Sequence, residues 1–555
     1  MRLPLSLSLS LLALSPVLVL AQRVGGGPRD STRAQTPTLR IDPRLIAEAA
    51  EVWTLIAAPQ NPIWPGWDAS DTPILFYLPG EQDVLINHPR APAGFVPYEG
   101  LIRFAGGRIL IRDGPTTLDA DGQNTSRDIA GVRTLVVADA LSNLRQQIRG
   151  LLEDPRPTRE KIQDLSFSQL ATDPYEQLML IVHEAFHVFQ HRVAPARDAN
   201  EMLLLHYPVL SIENNVGFAQ EGATLASALR SDAGPAFRAA VIRWLALRRQ
   251  RRSLLPPQAI EYENGVEFGE GLAKYAEYRL LESLQDRQPR PEMWWAEGFH
   301  GYDDLASRRS ALVDRMLQHM RGEISVNKDP YGTAPLRMRL YFSGMAIAAV
   351  LDRLSPPWKD RILEPSRSLT DLAEDAVAAR ASDLRGALEE SRNEPDYEAL
   401  AAVKRRLAQQ GRARIDTMLT QIERGTGTGV IVEYGALDTP RVALAFTPFG
   451  IIVVDNNRTI YTQVPIRARF PDGSEIVQTE ATALLHDRNG RLIRFRLSRE
   501  LSSEEVLRAL GTDMRATQDA RELRLELPGV RVSSPRATIQ LDGRDLRILL
   551  TSHRK

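Results

Sequence analysis

Hydrophobic and polar positions divide the 555-residue chain into three patterns. Between residues 41 and 150, short apolar runs alternate with turn signals. Asp42-Pro43 opens a helix, with Asp42 as N-cap and Pro43 in the first turn, and "RLIAEAAEVWTLIA" follows at helical spacing. "NPIWPGW" is turn-rich and carries Trp64 and Trp67. "PILFYL", "DVLINH", "GRILIR" and "TLVVAD" then read as strands punctuated by Pro and Gly. From 151 to 423 apolar residues recur every three or four positions, broken by "LPPQ" and "SPPW", which predicts a mainly helical region. "RGTGTG", Arg424 to Gly429, reads as a linker. Past it the period drops to two in "VIVEY", "RVALAF", "IIVVD", "IRARF", "LIRFRL", "ELRLEL", "RATIQL" and "LRILL". Asn489-Gly490 marks a turn there, and "SSEEVLRAL" one helix. The expectation is an α+β multidomain protein. It has a mixed α/β N-terminal region (41–150), a mainly helical domain (151–423) and a β-rich C-terminal domain (430–555).

The first 40 residues follow none of these patterns. "MRLPLSLSLSLLALSPVLVLAQ" has an early Arg2, an apolar core and Val19-Leu20-Ala21 before Gln22, the form of a removable export signal over 1–21. Such a signal places the mature protein in a periplasm or outside the cell; a retained anchor is the alternative reading. Residues 22–40 are polar and rich in Gly and Pro, as in a flexible leader. No later segment reaches ~20 unbroken apolar residues, so no stable membrane insertion is expected once the signal is removed. Net charge is -1, which gives no field favouring nucleic acid. Arg243, Arg248, Arg249, Arg251 and Arg252 share one helix, and a solvated face is the expectation for them. His88, before Pro89, reads as an ordinary loop histidine. The chain has no cysteine, which excludes disulfides, thiol nucleophiles and thiolate metal sites. Any metal must be held by His and carboxylates.

One helix carries the chemistry. "IVHEAFHVFQH", Ile181 to His191, holds three of the chain's nine histidines. With Leu178 to Val193 on a helix at ~100° per residue, His183, Glu184, His187, Gln190 and His191 fall in one arc of roughly a third of the circumference. Almost all the rest is apolar. Polar groups on a largely buried helix need partners, and a polar cleft or a metal supplies them. Two imidazoles four residues apart can converge on one tetrahedral ion. The carboxylate after the first of them then lies where it can deprotonate a water that the metal has acidified. His183-Glu184-x-x-His187 has that spacing.

A third ligand is needed. His191 is nearest, but one turn beyond His187 it would be strained as a tetrahedral partner. It reads as lining the site or as packing. Gln190 and Val193 stand where a metzincin would have Gly and His. Downstream lies "EFGEGLAKYAEYRLLE". Here the chain resembles the gluzincins, zinc metallopeptidases whose third ligand is a Glu on a later helix. Glu270-Gly271-Leu272-Ala273-Lys274-Tyr275 is similar to their N-E-G-x-A-x-Y pattern, with Gly269 replacing the first residue. The resemblance implies a zincin-like fold for the helical domain, Zn2+ as cofactor and Glu270 as ligand. Gly271 would let this helix approach the histidine helix closely, and Glu277 could orient a ligating histidine. Glu221-Gly222 in "FAQEGATLASAL" is the alternative third ligand. "RLYFSGMAIAAVLDRL" places Tyr341 three residues before Gly344, similar to a Y-x-x-G helix whose tyrosine hydrogen-bonds an oxyanion in the aminopeptidase branch. No G-x-M-E-N segment is present, so exopeptidase action has no support. The resemblance covers about 175–355.

Two functions follow as expectations. In one the protein is an exported zinc metallopeptidase of peptide or protein substrates. His183, His187 and Glu270 hold the metal, Glu184 is the general base, and Tyr341 stabilises the oxyanion. In the other it is a non-catalytic binding protein on the same scaffold, with a structural or vestigial metal site. Oligomeric state is left open by the sequence.

Overall fold

A computed structural model describes residues 38–551, apart from 79, 101, 105–106, 115–123, 139–172, 198, 325–331, 393–396, 436, 439, 445–449, 463–465, 479–482 and 511–516. The export signal and nearly all of the leader lie outside the described residues. So does the expected boundary near 150. The chain is α+β, with a helical middle and a β-rich C-terminal region.

The N-terminal region is a helix on a mixed sheet. α1 (Pro43–Ile56) begins as its sequence requires: Asp42 accepts from the Arg44 N–H at 3.0 Å. The strands are β1 (Ile74–Leu78), β2 (Gln82–Ile86), β3 (Val96–Pro97), β4 (Ile109–Asp113), β5 (Thr125–Ile129) and β6 (Val132–Ala138). They lie in the order β3-β4-β2-β1-β6-β5, antiparallel except for β1 beside β6. Period-2 alternation gives the sheet two apolar faces. Ile74, Phe76 and Leu78 join the main core with α1, while Leu75 and Tyr77 form a smaller cluster with Leu85, Leu110 and Val136. β5 ends the sheet. Its "TSRDI" has one apolar residue, so no hydrophobic pattern announces it.

Among the described residues, the helical middle begins with α2 (Pro174–Val193), the histidine helix, capped by Asp173. Then come α3 (Ile212–Arg230), α4 (Pro235–Arg252) and α5 (Pro257–Val266). α5 runs through a π-helical turn, Glu267–Gly271, into α6 (Leu272–Leu284). α7 (Leu305–Arg321), α8 (Thr333–Leu354), α9 (Trp358–Arg361), α10 (Leu369–Val377), α11 (Ala381–Arg392) and α12 (Tyr397–Arg424) follow. The apolar back of α2 docks into the turn-rich "NPIWPGW" stretch. Asn61 Oδ1 accepts from the backbone of Ile63 and Trp64, and Trp64 and Trp67 pack on Phe186 with ring centroids 5.2 Å apart in each pair.

The arginine-rich helix, α4, corrects one expectation. Arg249 is exposed, but Arg248 and Arg251 are fully buried. Arg248 spans Glu221 and Glu267; Arg251 spans Glu221 and Glu263; Arg252 Nε reaches Glu263 at 2.8 Å. Charges so far from water must be paired, and three carboxylates from α3, α5 and the π turn do so. Sequence composition shows the charge run but not the carboxylates that other helices bring to it.

The C-terminal strands, β7 (Gly429–Glu433), β8 (Arg441–Leu444), β9 (Ile451–Val453), β10 (Arg458–Tyr461), β11 (Ile466–Arg469), β12 (Glu475–Gln478), β13 (Leu484–Asp487), β14 (Leu492–Arg496), β15 (Thr517–Leu527), β16 (Val530–Asp542) and β17 (Asp545–Leu550), form one sheet. Their order is β8-β11-β12-β16-β17-β7-β14-β13-β10-β9, with β15 pairing β16. β7 and β17 pair in parallel; the other pairs are antiparallel. Every strand expected here is present, with the helix Ser503–Leu510 and the turn at Gly490, whose N–H reaches Asp487 Oδ1 at 2.8 Å. β10, β12 and β13 add four residues each, buried in unbroken runs of three that show no alternation for the sequence to reveal. The linker is pinned: Arg496 donates to the carbonyls of Glu423 and Gly427, both at 2.8 Å. No helix among the described residues is long and apolar enough to cross a membrane.

Candidate metal centre

α2, the π turn and α8 meet at one cleft. His183 and His187 project from the same side of α2, one turn apart, with rings 4.8 Å apart and inclined at 82°. Glu270 comes to them from the π turn. Its Oε2 lies 3.3 Å from His183 Nε2 and 3.4 Å from His187 Nε2. The three groups could hold a metal ion: one ligand atom from each lies within 4.8 Å of the others. A tetrahedral ion with bonds of ~2.1 Å sets its ligand atoms ~3.4 Å apart, which is the spacing of the two measured pairs. Two imidazoles and one carboxylate suit a borderline divalent cation.

The far sides of both rings are also occupied. His183 Nδ1 lies 2.8 Å from Glu277 Oε1, and the other oxygen of that carboxylate, Oε2, accepts from Lys274 Nζ at 2.6 Å. His187 Nδ1 lies 2.9 Å from Gln190 Oε1, and the Gln190 amide donates to the Phe268 and Gly269 carbonyls of the π turn. Each Nδ1 thus faces an acceptor, which fixes the tautomer that leaves Nε2 free to ligate. Burial alone would lower the His183 pKa, but hydrogen bonds with Glu270 and Glu277 outweigh it and raise it to about 10. Burial alone would raise Glu270, and the two histidines hold it well below the usual carboxylate range. The site is electrostatically built for a positive charge between these three groups.

The remaining residues sort by position. Glu184, His187, Gln190, His191, Glu201, Glu270 and Arg337 line one cleft of about 260 Å3. His191 is exposed on its wall and is absent from the grouped ligand atoms. Tyr341 stacks on His183 with ring centroids 6.2 Å apart. Burial, then the Glu270 charge, raises its phenol well above the ordinary value, so it remains a neutral donor. Glu221 is elsewhere: both its oxygens accept from buried arginines, Arg251 Nε at 2.5 Å and Arg248 Nη1 at 3.1 Å. It is not among the ligand atoms that gather with the two histidines.

Gly271 corrects a second expectation. Its close neighbour is α8 and not the histidine helix. A Cβ on Gly271 would stand 2.7 Å from Gly344 Cα, and one on Gly344 would stand 2.7 Å from both Gly271 Cα and Glu267 O. The two glycines cross back to back, which sets the π turn against the helix of Tyr341. His88 is structural: its ring nitrogens meet the Arg90 and Ile129 carbonyls, tying the loop after β2 to the end of β5.

Sequence reasoning missed Arg337, Glu201 and the β5–β6 wall. Arg337 Nη2 donates to Glu270 Oε1 at 2.7 Å, Nε to the Tyr341 hydroxyl at 3.3 Å, and Nη1 pairs with Glu201. The signal was available, because Arg337 stands four residues before Tyr341 on the same helical face. Comparison with protein-family models, with curated proteins and with solved structures finds no match for this chain.

Proposed function

We propose that the protein is an exported zinc metallopeptidase in which His183, His187 and Glu270 hold the ion. The observation that carries the reading is Glu184. It follows a ligating histidine and lines the same cleft as His187 and Glu270, where a purely structural metal site has no use for a base. A zinc ion bound there would supply Lewis acidity and lower the pKa of water. Glu184 would take a proton from water as the oxygen attacks the scissile carbonyl carbon. It would then pass that proton to the amine nitrogen as the C–N bond breaks. Tyr341, held neutral, would donate a hydrogen bond to the carbonyl oxygen as that atom gains charge. Glu277 and Gln190 would keep the imidazoles turned inward.

A peptide substrate is supported by the cleft wall. Thr125 and Ser126 of β5 form part of it, and among the described residues β5 is the last strand of its sheet. An extended chain can pair with the free edge of such a strand while its side chains enter pockets.

The test is digestion of a peptide library by the purified mature protein, with and without chelator, alongside metal analysis. About one zinc per chain and chelator-sensitive cleavage are expected. Glu184→Gln should retain the zinc and abolish cleavage. Unchanged hydrolysis by that variant would overturn the mechanism.

A further inference from the structure

Of the two arginines in the cleft wall, Arg133 is the one whose charge no ion pair answers among the described residues. It sits near the start of β6, opposite Asp128 in the β5–β6 pairing, and lines the cleft with Glu184, His187 and Glu270. It is half-buried, and its Nε is shielded from solvent without a hydrogen-bond partner. Arg133 makes no hydrogen bond or ion pair among the described residues. The other guanidinium of the cleft, Arg337, is committed to Glu201 and Glu270. A shielded donor with no acceptor is costly, and such groups are usually waiting for one.

The charge balance of the cleft agrees. Its lining carries three carboxylates, Glu184, Glu201 and Glu270, against Arg133 and Arg337. A divalent ion on the neutral histidines and Glu270 leaves the loaded cleft with one positive charge over, and Arg133 is the positive group without a partner. A low-dielectric cleft with that excess attracts anions. The planar guanidinium fork suits a carboxylate, which it can grip through two parallel N–H bonds.

We infer that Arg133 is a specificity residue that binds a substrate carboxylate, so the preferred substrates are peptides carrying a negative charge beside the scissile bond. This rests on the peptidase reading for the nature of the substrate, but the binding itself does not require turnover. The carboxylate can be an acidic side chain or the peptide's own C-terminus, and the two are separable. Arg133 lies on β6, one strand in from the β5 edge that an extended peptide would follow, which brings substrate side chains past the guanidinium.

The experiment measures binding to the zinc-loaded Glu184→Gln protein, which holds peptides without cleaving them, by fluorescence anisotropy. Two matched pairs of labelled peptides are compared: one differs by internal Glu against Gln, the other by free C-terminal acid against amide. The charged member of one pair should bind about 10- to 100-fold more tightly, as a charge-assisted hydrogen bond to a shielded group provides. Preference in the first pair identifies a side-chain carboxylate, and in the second a terminal one. Adding Arg133→Gln should abolish the preference while changing the neutral peptide's affinity less than about threefold, and Arg133→Lys should restore part of it. A structural role for Arg133 would weaken both members equally and leave their ratio intact. No preference in either pair, or a preference that survives Arg133→Gln, overturns the inference. Cleavage of peptides without preference would sink this inference and leave the peptidase reading standing. Arg133-dependent binding without any cleavage by the parent protein would do the reverse.

Discussion

Replacing Gly344 with alanine sets two effects of opposite sign against each other. In a helix interior the exchange ordinarily stabilises by about 1 kcal/mol, because glycine loses more backbone entropy on folding. Gly344 is an interior position of α8, so propensity alone predicts a more stable protein. The structure predicts otherwise. The added Cβ would meet Glu267 O and Gly271 Cα at 2.7 Å and Glu267 Cα at 3.1 Å. These are backbone atoms and cannot rotate aside. Carbon contacts are comfortable from about 3.5 Å, so α8 and the π turn must part by roughly 0.8 Å. Overpacking of this kind costs about 1–3 kcal/mol, and the net expectation is a loss of up to about 2 kcal/mol in place of the gain.

The same displacement acts on function, because Glu270 rides on the π turn and Tyr341 on α8. Metal sites tolerate about 0.2 Å in ligand distance, so zinc affinity should fall by about tenfold or more. Stability is read by urea denaturation of the metal-free protein, and affinity by competition with a chromophoric chelator. Gly386→Ala is the control: that glycine is also helical, but a Cβ on it meets nothing within 4 Å. It should gain about 1 kcal/mol and bind zinc as the parent does. If Gly344→Ala behaves like Gly386→Ala in both assays, the crossing of the two glycines does not set the site.

Three further perturbations separate roles that look alike in sequence. Glu277→Ala should lower zinc affinity about 10- to 100-fold, the usual effect of removing the group behind a ligating histidine, and an unchanged chelator titration would deny it that role. Glu221→Ala should cost about 3–5 kcal/mol by leaving the buried network of Arg248, Arg251 and Arg252 one carboxylate short, yet its folded fraction should still bind one zinc, whereas Glu270→Ala should lose the zinc; denaturation and metal analysis of both variants decide which glutamate is the ligand. Glu48 is buried in α1, which raises its carboxyl to about 8. A folded pKa above the unfolded one gives stability that is present below about pH 4.5 and lost as pH rises through about 8, worth up to about 5 kcal/mol across that window. Glu48→Gln should therefore gain on the parent progressively from pH 5 to pH 8 in urea titrations, and a difference independent of pH would refute this.

What the sequence revealed and what it hid divide along physical lines. α1, α2 and the longer strands were legible because each has a face to bury, and burial writes a period into the residues. The pairing of His183 with His187 was legible because one helix carries both, so spacing alone brings them together. Glu270 needed the resemblance of its segment to a known pattern, since no periodicity links residue 187 to residue 270. β5 was hidden because it is short and polar, although it borders the cleft. The buried arginines of α4 were misread for a related reason. A charge run shows the charges of one helix, whereas its burial depends on Glu221, Glu263 and Glu267 arriving from elsewhere.

That arginine network bears on the site through a single residue. Buried ion pairs are a poor source of net stability, since apolar side chains of similar volume serve as well. What they supply is orientation. Glu267 belongs to the same π turn as Glu270, and both its oxygens are held, one by Arg248 and the other by Ser343 Oγ at 2.5 Å. Ser343 is the neighbour of Gly344, so the network and the glycine crossing grip the turn from the same side. Gln190 holds its other side through the Phe268 and Gly269 carbonyls while also touching His187. A π turn is an irregular stretch of backbone that a plain helix would replace unless its surroundings fixed it. Here side chains from α2, α4 and α8 fix it, and the residue so presented is the carboxylate that faces both histidines.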